Sequence, residues 1–369
     1  MTVVRASDSN DIFLAAPKTE ATWSCYPDRP FANLMVPPGH RHANGTAQRI
    51  FLSRIARVRA SSRHFLTRLL TTQRTFRDGP VLQRIRGYVV DEGFMVAKLD
   101  RSRVEARATV AVVGEGLRPV LFAKIVGPTA APAIHSEYKW LLRLAQTPIS
   151  HYIPKPIKQW DFGDWAIVEV GSVADSLKRA STFTEDHAKF LERLYCCAQP
   201  WSRDDNGLIS RIRSRAKARS HVRSALLDVI KAATNDLERR WDSHPFRVAA
   251  HGDFAPWNIL ETRDGLRVID WENVATDCPA LYDYYHFKLL PIALKGTIRR
   301  SHIDDCLKPS LDPTIDQWRQ GPHHATTQLL AYVLDVLTLH ISRDEGPWGP
   351  SPIVKQYSLL LGHRNDWLA

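Results

Sequence analysis

The stretch His251-Gly252-Asp253-Phe254-Ala255-Pro256-Trp257-Asn258, followed by Val268-Ile269-Asp270-Trp271-Glu272, decides how this chain is read. Asp253 and Asn258 flank Pro256, so they share a loop rather than one face of a helix. Residues 259–262 and 266–269 are β-rich and enclose the turn dipeptide Asp264-Gly265, the pattern of a hairpin. A hairpin returns its end beside its start, so Asp253, Asn258 and Asp270 can converge on one point. Two carboxylates and one amide carbonyl make a hard oxygen site. That suits Mg²⁺, which binds one or two carboxylates together with water and substrate phosphates. The structural alternative for the same residues is a polar turn, with a helix-capping Asp and an Asn in a left-handed conformation.

A second signal lies upstream. Leu121-Phe122-Ala123-Lys124-Ile125-Val126 puts a lysine inside an otherwise apolar strand, which is costly unless the ammonium is paired. Glu137 opens a helical stretch whose apolar stripe includes Leu141 and Leu144. A Lys124–Glu137 ion pair is expected. The alternative is a Lys124 that snorkels from an edge strand and a Glu137 that only favours a helix start.

Together these motifs resemble the aminoglycoside phosphotransferase and choline kinase group, small-molecule relatives of protein kinases. Its catalytic loop reads H-G-D-x-x-x-x-N and is followed by a hairpin and a metal-binding Asp. The resemblance implies an α+β, protein-kinase-like fold of two lobes, a small antiparallel sheet lobe and a larger helical lobe, with an N-terminal extension. It implies ATP and Mg²⁺ as cofactors. Asp253 would receive the acceptor hydroxyl's proton, His251 would brace the loop, and Asn258 and Asp270 would hold Mg²⁺ on the nucleotide phosphates. Lys124, paired to Glu137, would contact the phosphates. Ser102, in the Gly-free segment Asp100-Arg101-Ser102-Arg103-Val104-Glu105, would take the place of the phosphate-covering glycines. Backbone groups from Glu169 to Gly171 would meet the adenine edge. Relatives commonly have a Gly before the Asp of the next helix; here Thr276-Asp277-Cys278-Pro279 replaces it, and Asp283 reads as a structural helix Asp.

The implied reaction is ATP-dependent phosphoryl transfer to a hydroxyl of a small molecule. A small acceptor is favoured over a protein because the chain reaches a helix by Leu281, without a long activation segment or an Ala-Pro-Glu sequence. A different class of function stays open: a kinase-fold pseudoenzyme acting as a nucleotide-binding or protein-interaction module. The Gly-free loop and an Arg-rich segment support it.

Pattern along the chain divides it into a tail or extended wrap (1–45), an Arg-rich amphipathic helix (46–82), a nucleotide-binding sheet lobe (83–170) and a helical catalytic and acceptor-binding lobe (171–369). Residues 41–86 hold many Arg and a single acid, Asp78, which suits either a solvated helix face or contact with an anionic surface. The run Arg211, Arg213, Arg215, Lys217, Arg219, Arg223 reads either as a solvated face or as the rim of an anionic substrate site.

Composition sets the outer limits. With 44% hydrophobic and 24% charged residues, wholesale disorder is excluded. No apolar run approaches the ~18–20 residues that span a bilayer, and the N-terminus does not read as a secretory signal. Five cysteines with no C-x-x-C pair argue against a disulfide scaffold or zinc ribbon, so a cytoplasmic setting is expected. The formal charge of +11 suits a polyanionic partner in general, yet no nucleic-acid partner is expected. Gly114-x-Gly116 lacks a third glycine for a dinucleotide fingerprint.

Overall fold

Alternating β-branched and aromatic residues build the first of two units. The structure, a computed structural model, describes residues 12–15, 94–100, 107–113, 119–162, 165–173, 178–198, 207–217, 224–241, 247–308, 312–320, 322–343 and 351–368. The first unit comprises Met1–Ala145, Ile153–Lys178 and Glu261–Arg267. Its strands are β1 (Ile12–Ala15), β2 (Phe94–Asp100), β3 (Arg107–Val113), β4 (Pro119–Val126), β5 (Pro156–Phe162) and β6 (Trp165–Gly171). They pair antiparallel in the order β1-β2-β3-β4-β6-β5. Lys124 pairs with Thr109 on one side and Val168 on the other, so it sits in an interior strand and does not snorkel from an edge.

The sequence pattern anticipates β2, β3, β4 and β6 and misses β5. Pro154 and Pro156 mask that strand. Proline is tolerated there because β5 is the last strand of the sheet and needs one donor row only. Helix α1 (Ala131–Leu144) starts with Pro132 in its first turn, where a missing N–H is harmless. Its buried face is Ile134, Glu137, Trp140, Leu141 and Leu144, and it packs on β4, β5 and β6. Each of the apolar members contributes about 1.5–3 kcal/mol when fully buried.

The second unit comprises Gln146–Tyr152, Arg179–Leu260 and Val268–Ala369. After the short β7 (Lys178–Arg179) come α2 (Glu185–Ala198), α3 (Leu208–Lys217) and α4 (Ser224–Trp241). Periodicity alone reads α3 and α4 as one helix. Ile212 and Ile230 are 18 positions apart (230 − 212), which is five turns of about 3.6 residues, so the apolar residues of α3 and α4 share one phase; residues 218–223 between them lie outside the described residues. Along the chain then follow β8 (Arg247–Ala250), β9 (Ile259–Thr262) and β10 (Gly265–Val268), of which Glu261–Arg267 count with the first unit, and after them β11 (Ala275–Pro279) and α5 (Tyr282–Lys295). Strand β9 lies between β10 and β7, and β8 pairs antiparallel with β11. Helices α6 (Arg300–Leu307), α7 (Pro313–Arg319), α8 (Pro322–Arg343), α9 (Pro352–Gly362) and α10 (Asn365–Leu368) complete the unit.

Helix α8 is buried nearly all round from Ala325 to Thr338, as a core helix must be. Polar tips inside this core find partners. Tyr332 and Tyr357 share a hydroxyl contact of 2.7 Å, and the Tyr285 hydroxyl donates to the Ala325 carbonyl at 3.0 Å. The Arg-rich helix expected at 46–82, Ser102 and the turn at 114–116 lie outside the described residues. Ile12–Ala15, within the expected wrap, forms the edge strand opposite β5 among the described residues.

Candidate active site

Strand β8 ends at Ala250, and the chain turns at once into the loop 251–258. The His251 and Gly252 N–H groups donate to the two carboxylate oxygens of Asp283, at 2.8 and 3.1 Å. Asp283 lies fully buried in the first turn of α5. Burial pushes its carboxyl up to about 6, against the pull of the two backbone donors. Gly252 adopts φ +79°, and a Cβ there would fall 1.9 Å from the Asn273 carbonyl oxygen. Only glycine meets both demands.

His251 ties the loop to the hairpin. The Asp253 N–H donates to its Nδ1 at 3.2 Å, so the ring proton sits on Nε2, which donates to the Ile269 carbonyl at 3.2 Å. Burial pulls its pKa down to about 4, which keeps the ring neutral near pH 7. The ring packs edge-on against Trp271 at 4.5 Å. Both nitrogens are committed, so His251 braces the loop and is no metal ligand.

A 3-10 turn, Pro256–Asn258, positions the amide. Asn258 is 5% exposed. Its Nδ2 donates to the Asp253 carbonyl at 3.0 Å, which leaves the side-chain oxygen as its remaining acceptor. Its own carbonyl accepts from the Ile269 N–H at 2.9 Å, closing the hairpin beside Asp270. Asp270 follows β10 in a left-handed conformation, φ 71° and ψ 61°, which Asp tolerates better than most residues. Asn258 and Asp270 thus offer oxygen donors from one closed loop and hairpin, of the kind that suits a hard divalent cation.

The Asp253 carboxylate has a partner that sequence reasoning missed. His286 Nε2 lies 3.0 Å from Asp253 Oδ1, and the His286 side chain is 4% exposed. Its Nδ1 is buried without a hydrogen-bond partner. An N–H at Nδ1 would be buried with no acceptor, so the ring's proton belongs on Nε2, where it donates to Asp253. Asp283 and His286 are three apart on α5. One face of that helix therefore grips the loop's backbone and its carboxylate. The spacing Asp283-x-x-His286 was the available signal.

In the sheet unit, Lys124 Nζ lies 2.8 and 2.7 Å from the two Glu137 carboxylate oxygens. The side chains are 15% and 2% exposed. This is the ion pair the sequence called for. Glu169 is fully buried, and its carboxylate accepts from Trp160 Nε1 at 2.9 Å. Its backbone lies between β4 and β5, paired on both sides. The Glu169 side chain is thus a tie inside the sheet.

Among curated proteins none matches the chain. A choline kinase, LicA from Streptococcus pneumoniae, is similar in structure, with a TM-score of 0.50 and 14% identity over 69% of this chain and 88% of that one. LicA in complex with AMP matches with a TM-score of 0.50 and 13% identity, over 78% and 98%. An aminoglycoside phosphotransferase from Streptomyces rimosus, in complex with ADP and streptomycin, matches with a TM-score of 0.41 and 15% identity, over 60% and 90%. The model of the phosphotransferase enzyme family matches residues 97–299, which include Lys124, Glu137, the loop 251–258 and Asp270. On that match, carried by a protein-kinase-like fold, the chain belongs to the phosphotransferase enzyme family.

Proposed function

We propose that this chain transfers the γ-phosphoryl group of ATP to a hydroxyl of a small molecule. One observation carries the reading. Asp253 is a half-buried carboxylate with Oδ1 fixed by His286, while Oδ2 has no partner among the described residues. Such an oxygen can take the proton of an acceptor hydroxyl as the hydroxyl attacks. Asn258 and Asp270 would hold Mg²⁺, Lys124 would hold the phosphates with Glu137 orienting its ammonium, and Ser102 would cover them. The adenine edge would meet backbone at the end of β6. When bound, Mg²⁺–ATP supplies the phosphoryl group and a cation that neutralises its charge. The chain's own contribution is positioning. Asp283 and His251 hold the loop rigid, and His286 sets the Asp253 rotamer.

The test is an acceptor panel with labelled ATP, run beside a thermal titration with Mg²⁺–ATP. Nucleotide at 100 times its Kd should stabilise the chain by about 2.7 kcal/mol. Binding without turnover on any hydroxyl would favour the pseudoenzyme. Absence of both would overturn the reading. Asp270→Asn should weaken Mg²⁺-dependent nucleotide binding with the fold retained.

A further inference from the structure

Arg179, in strand β7, is a cation without a bonded partner. Its side chain is half-buried, and its Nη1 is wholly buried with no hydrogen bond. Among the described residues its guanidinium makes neither a hydrogen bond nor an ion pair. Other buried arginines of the second unit have carboxylates. Arg211 and Arg215 lie 3.0 and 2.9 Å from Asp335 Oδ1, and Arg319 lies 3.3 Å from Asp316. A guanidinium withdrawn from water with nothing to donate to is costly, unless an anion comes to it from outside.

Strand pairing fixes where Arg179 stands. The Ala180 N–H donates to the Ile259 carbonyl at 3.0 Å, and Lys178 pairs with Glu261. The residue numbers run in opposite directions, so β7 and β9 are antiparallel and Arg179 lies opposite Leu260. Leu260 is two positions from Asn258, the alternation that puts residues on one face of a strand. The ladder reaches Asn258, whose carbonyl accepts from the Ile269 N–H at 2.9 Å. Asp270 follows directly, so it is two strand spacings of about 4.8 Å from β7, within the span of an extended arginine. Electrostatics agrees with this placement. Burial lowers the pKa of Arg179, and the carboxylate that pulls it back up is that of Asp270. Arg179, Asn258, Leu260 and Asp270 all belong to the second unit.

From this placement we infer that Arg179 is a phosphate-binding residue, its guanidinium donating to phosphate oxygens of the nucleotide beside Asn258 and Asp270. The inference rests on the nucleotide-binding part of the phosphotransfer reading. Phosphate oxygens are the acceptors that a guanidinium fork matches best, and they would supply the bond that Nη1 lacks. The same charge sets the order in which a metal can come. A bare divalent cation at Asn258 and Asp270 would be repelled by Arg179 in a partly dehydrated site, where like charges act more strongly than in water. A cation that arrives on phosphates brings negative charge with it and meets no such barrier. Arg179 therefore favours metal and nucleotide together over metal alone.

The experiment is calorimetric titration of the full chain with ADP plus Mg²⁺, with adenosine, and with Mg²⁺ alone. Arg179→Gln should weaken ADP binding about tenfold or more, the usual effect of losing a hydrogen bond to a charged group. It should leave adenosine binding unchanged and bind Mg²⁺ alone at least as tightly as the wild type. Arg179 has no bonded partner to abandon, so the variant should melt at or above the wild-type temperature. Arg213→Gln removes the same charge from an exposed pair with Glu238 and should alter none of the three titrations. Unchanged ADP affinity in Arg179→Gln, an equal loss for adenosine, an equal loss in Arg213→Gln, weaker binding of Mg²⁺ alone, or a lower melting temperature would each overturn the inference. The acceptor panel is read separately. Phosphoryl transfer with an ADP affinity indifferent to Arg179→Gln would overturn the inference and keep the phosphotransfer reading. An ADP affinity that depends on Arg179, without transfer to any acceptor, would do the reverse.

Discussion

The sheet unit and the loop 251–258 with its helix α5 both keep charged side chains away from water, and they do it by different means. In the sheet, Lys124 meets Glu137, and charge answers charge across both carboxylate oxygens. In the loop, Asp283 faces two backbone N–H groups and Asp253 faces an imidazole N–H. The difference governs how each region fails. Removing one member of a buried ion pair leaves an uncompensated charge, which costs about 3–5 kcal/mol. Removing one dipole from a set of several costs about 1–3 kcal/mol. The sheet site is therefore all-or-nothing, whereas the loop can be loosened in steps.

The largest effect tests what the loop is for. Asp253→Asn keeps the shape and loses the proton acceptor. The turnover rate should fall roughly 10²–10⁴-fold while nucleotide binding and melting temperature stay near wild type. A loss confined to KM would reduce Asp253 to a substrate-binding residue.

Next comes the ion pair. Lys124→Met should destabilise the chain by about 3–5 kcal/mol, because Glu137 stays behind at 2% exposure. Adding Glu137→Leu should recover most of that stability without recovering nucleotide affinity. Denaturant melts of the two singles and the double decide it. Additive losses would erase the contrast between the two regions.

How much of this was legible follows the same division. Lys124 and Glu137 could be paired from sequence because each is conspicuous alone: a cation in an apolar strand, and an acid 13 positions on in a helical pattern, which the structure places in the middle of α1 rather than at its start. The loop 251–258 and Asp270 were legible because their spacing is tight and their types are rare together. What holds the loop was half legible. Asp283 stood out as a helix Asp, but its two bonds to the loop backbone did not. His286 lay among Tyr284, Tyr285 and Phe287, where a histidine reads as another core ring. The Arg211–Asp335 contact spans 124 residues, and no local pattern reports such a pairing. Strand β5 was hidden by prolines that only an edge position allows.

The third prediction concerns acid. His251 has a folded pKa of about 4, below the ~6.5 of a free imidazole, so the unfolded chain binds more protons in between. Its contribution is fully present above pH ~6.5 and is lost as pH falls through 4. Asp283 runs the other way, with a folded pKa of about 6 against ~3.9 when free. Its contribution is present at low pH and is lost as pH rises through 6. Over pH 4–6 the two oppose each other, and the loop hides its own titration. Asp283→Asn removes one of them. Its stability should drop by on the order of 3 kcal/mol more than wild type between pH 7 and 4. Parallel pH–melting curves for the two proteins would refute the compensation.

The smallest effect probes a single dipole. If His286 acts by fixing the Asp253 rotamer, His286→Leu removes one hydrogen bond to a charged group, about 1.5–3 kcal/mol. Where that bond matters to the reacting carboxylate, the turnover rate should fall about 10–100-fold, with KM for ATP unchanged because no nucleotide contact is assigned to this ring. His286→Gln carries an N–H donor of similar reach and should restore most of the rate. A purely structural role predicts something else: both variants would lose melting temperature together, and the rate per folded molecule would stay put. The Nδ1 atom sharpens the distinction. It is buried and unpartnered, so the ring has no second bond through which to pass a proton onward. His286 should therefore leave the pH dependence of turnover where Asp253 sets it, and a pH–rate profile that moves with His286→Gln would make it a relay rather than a brace.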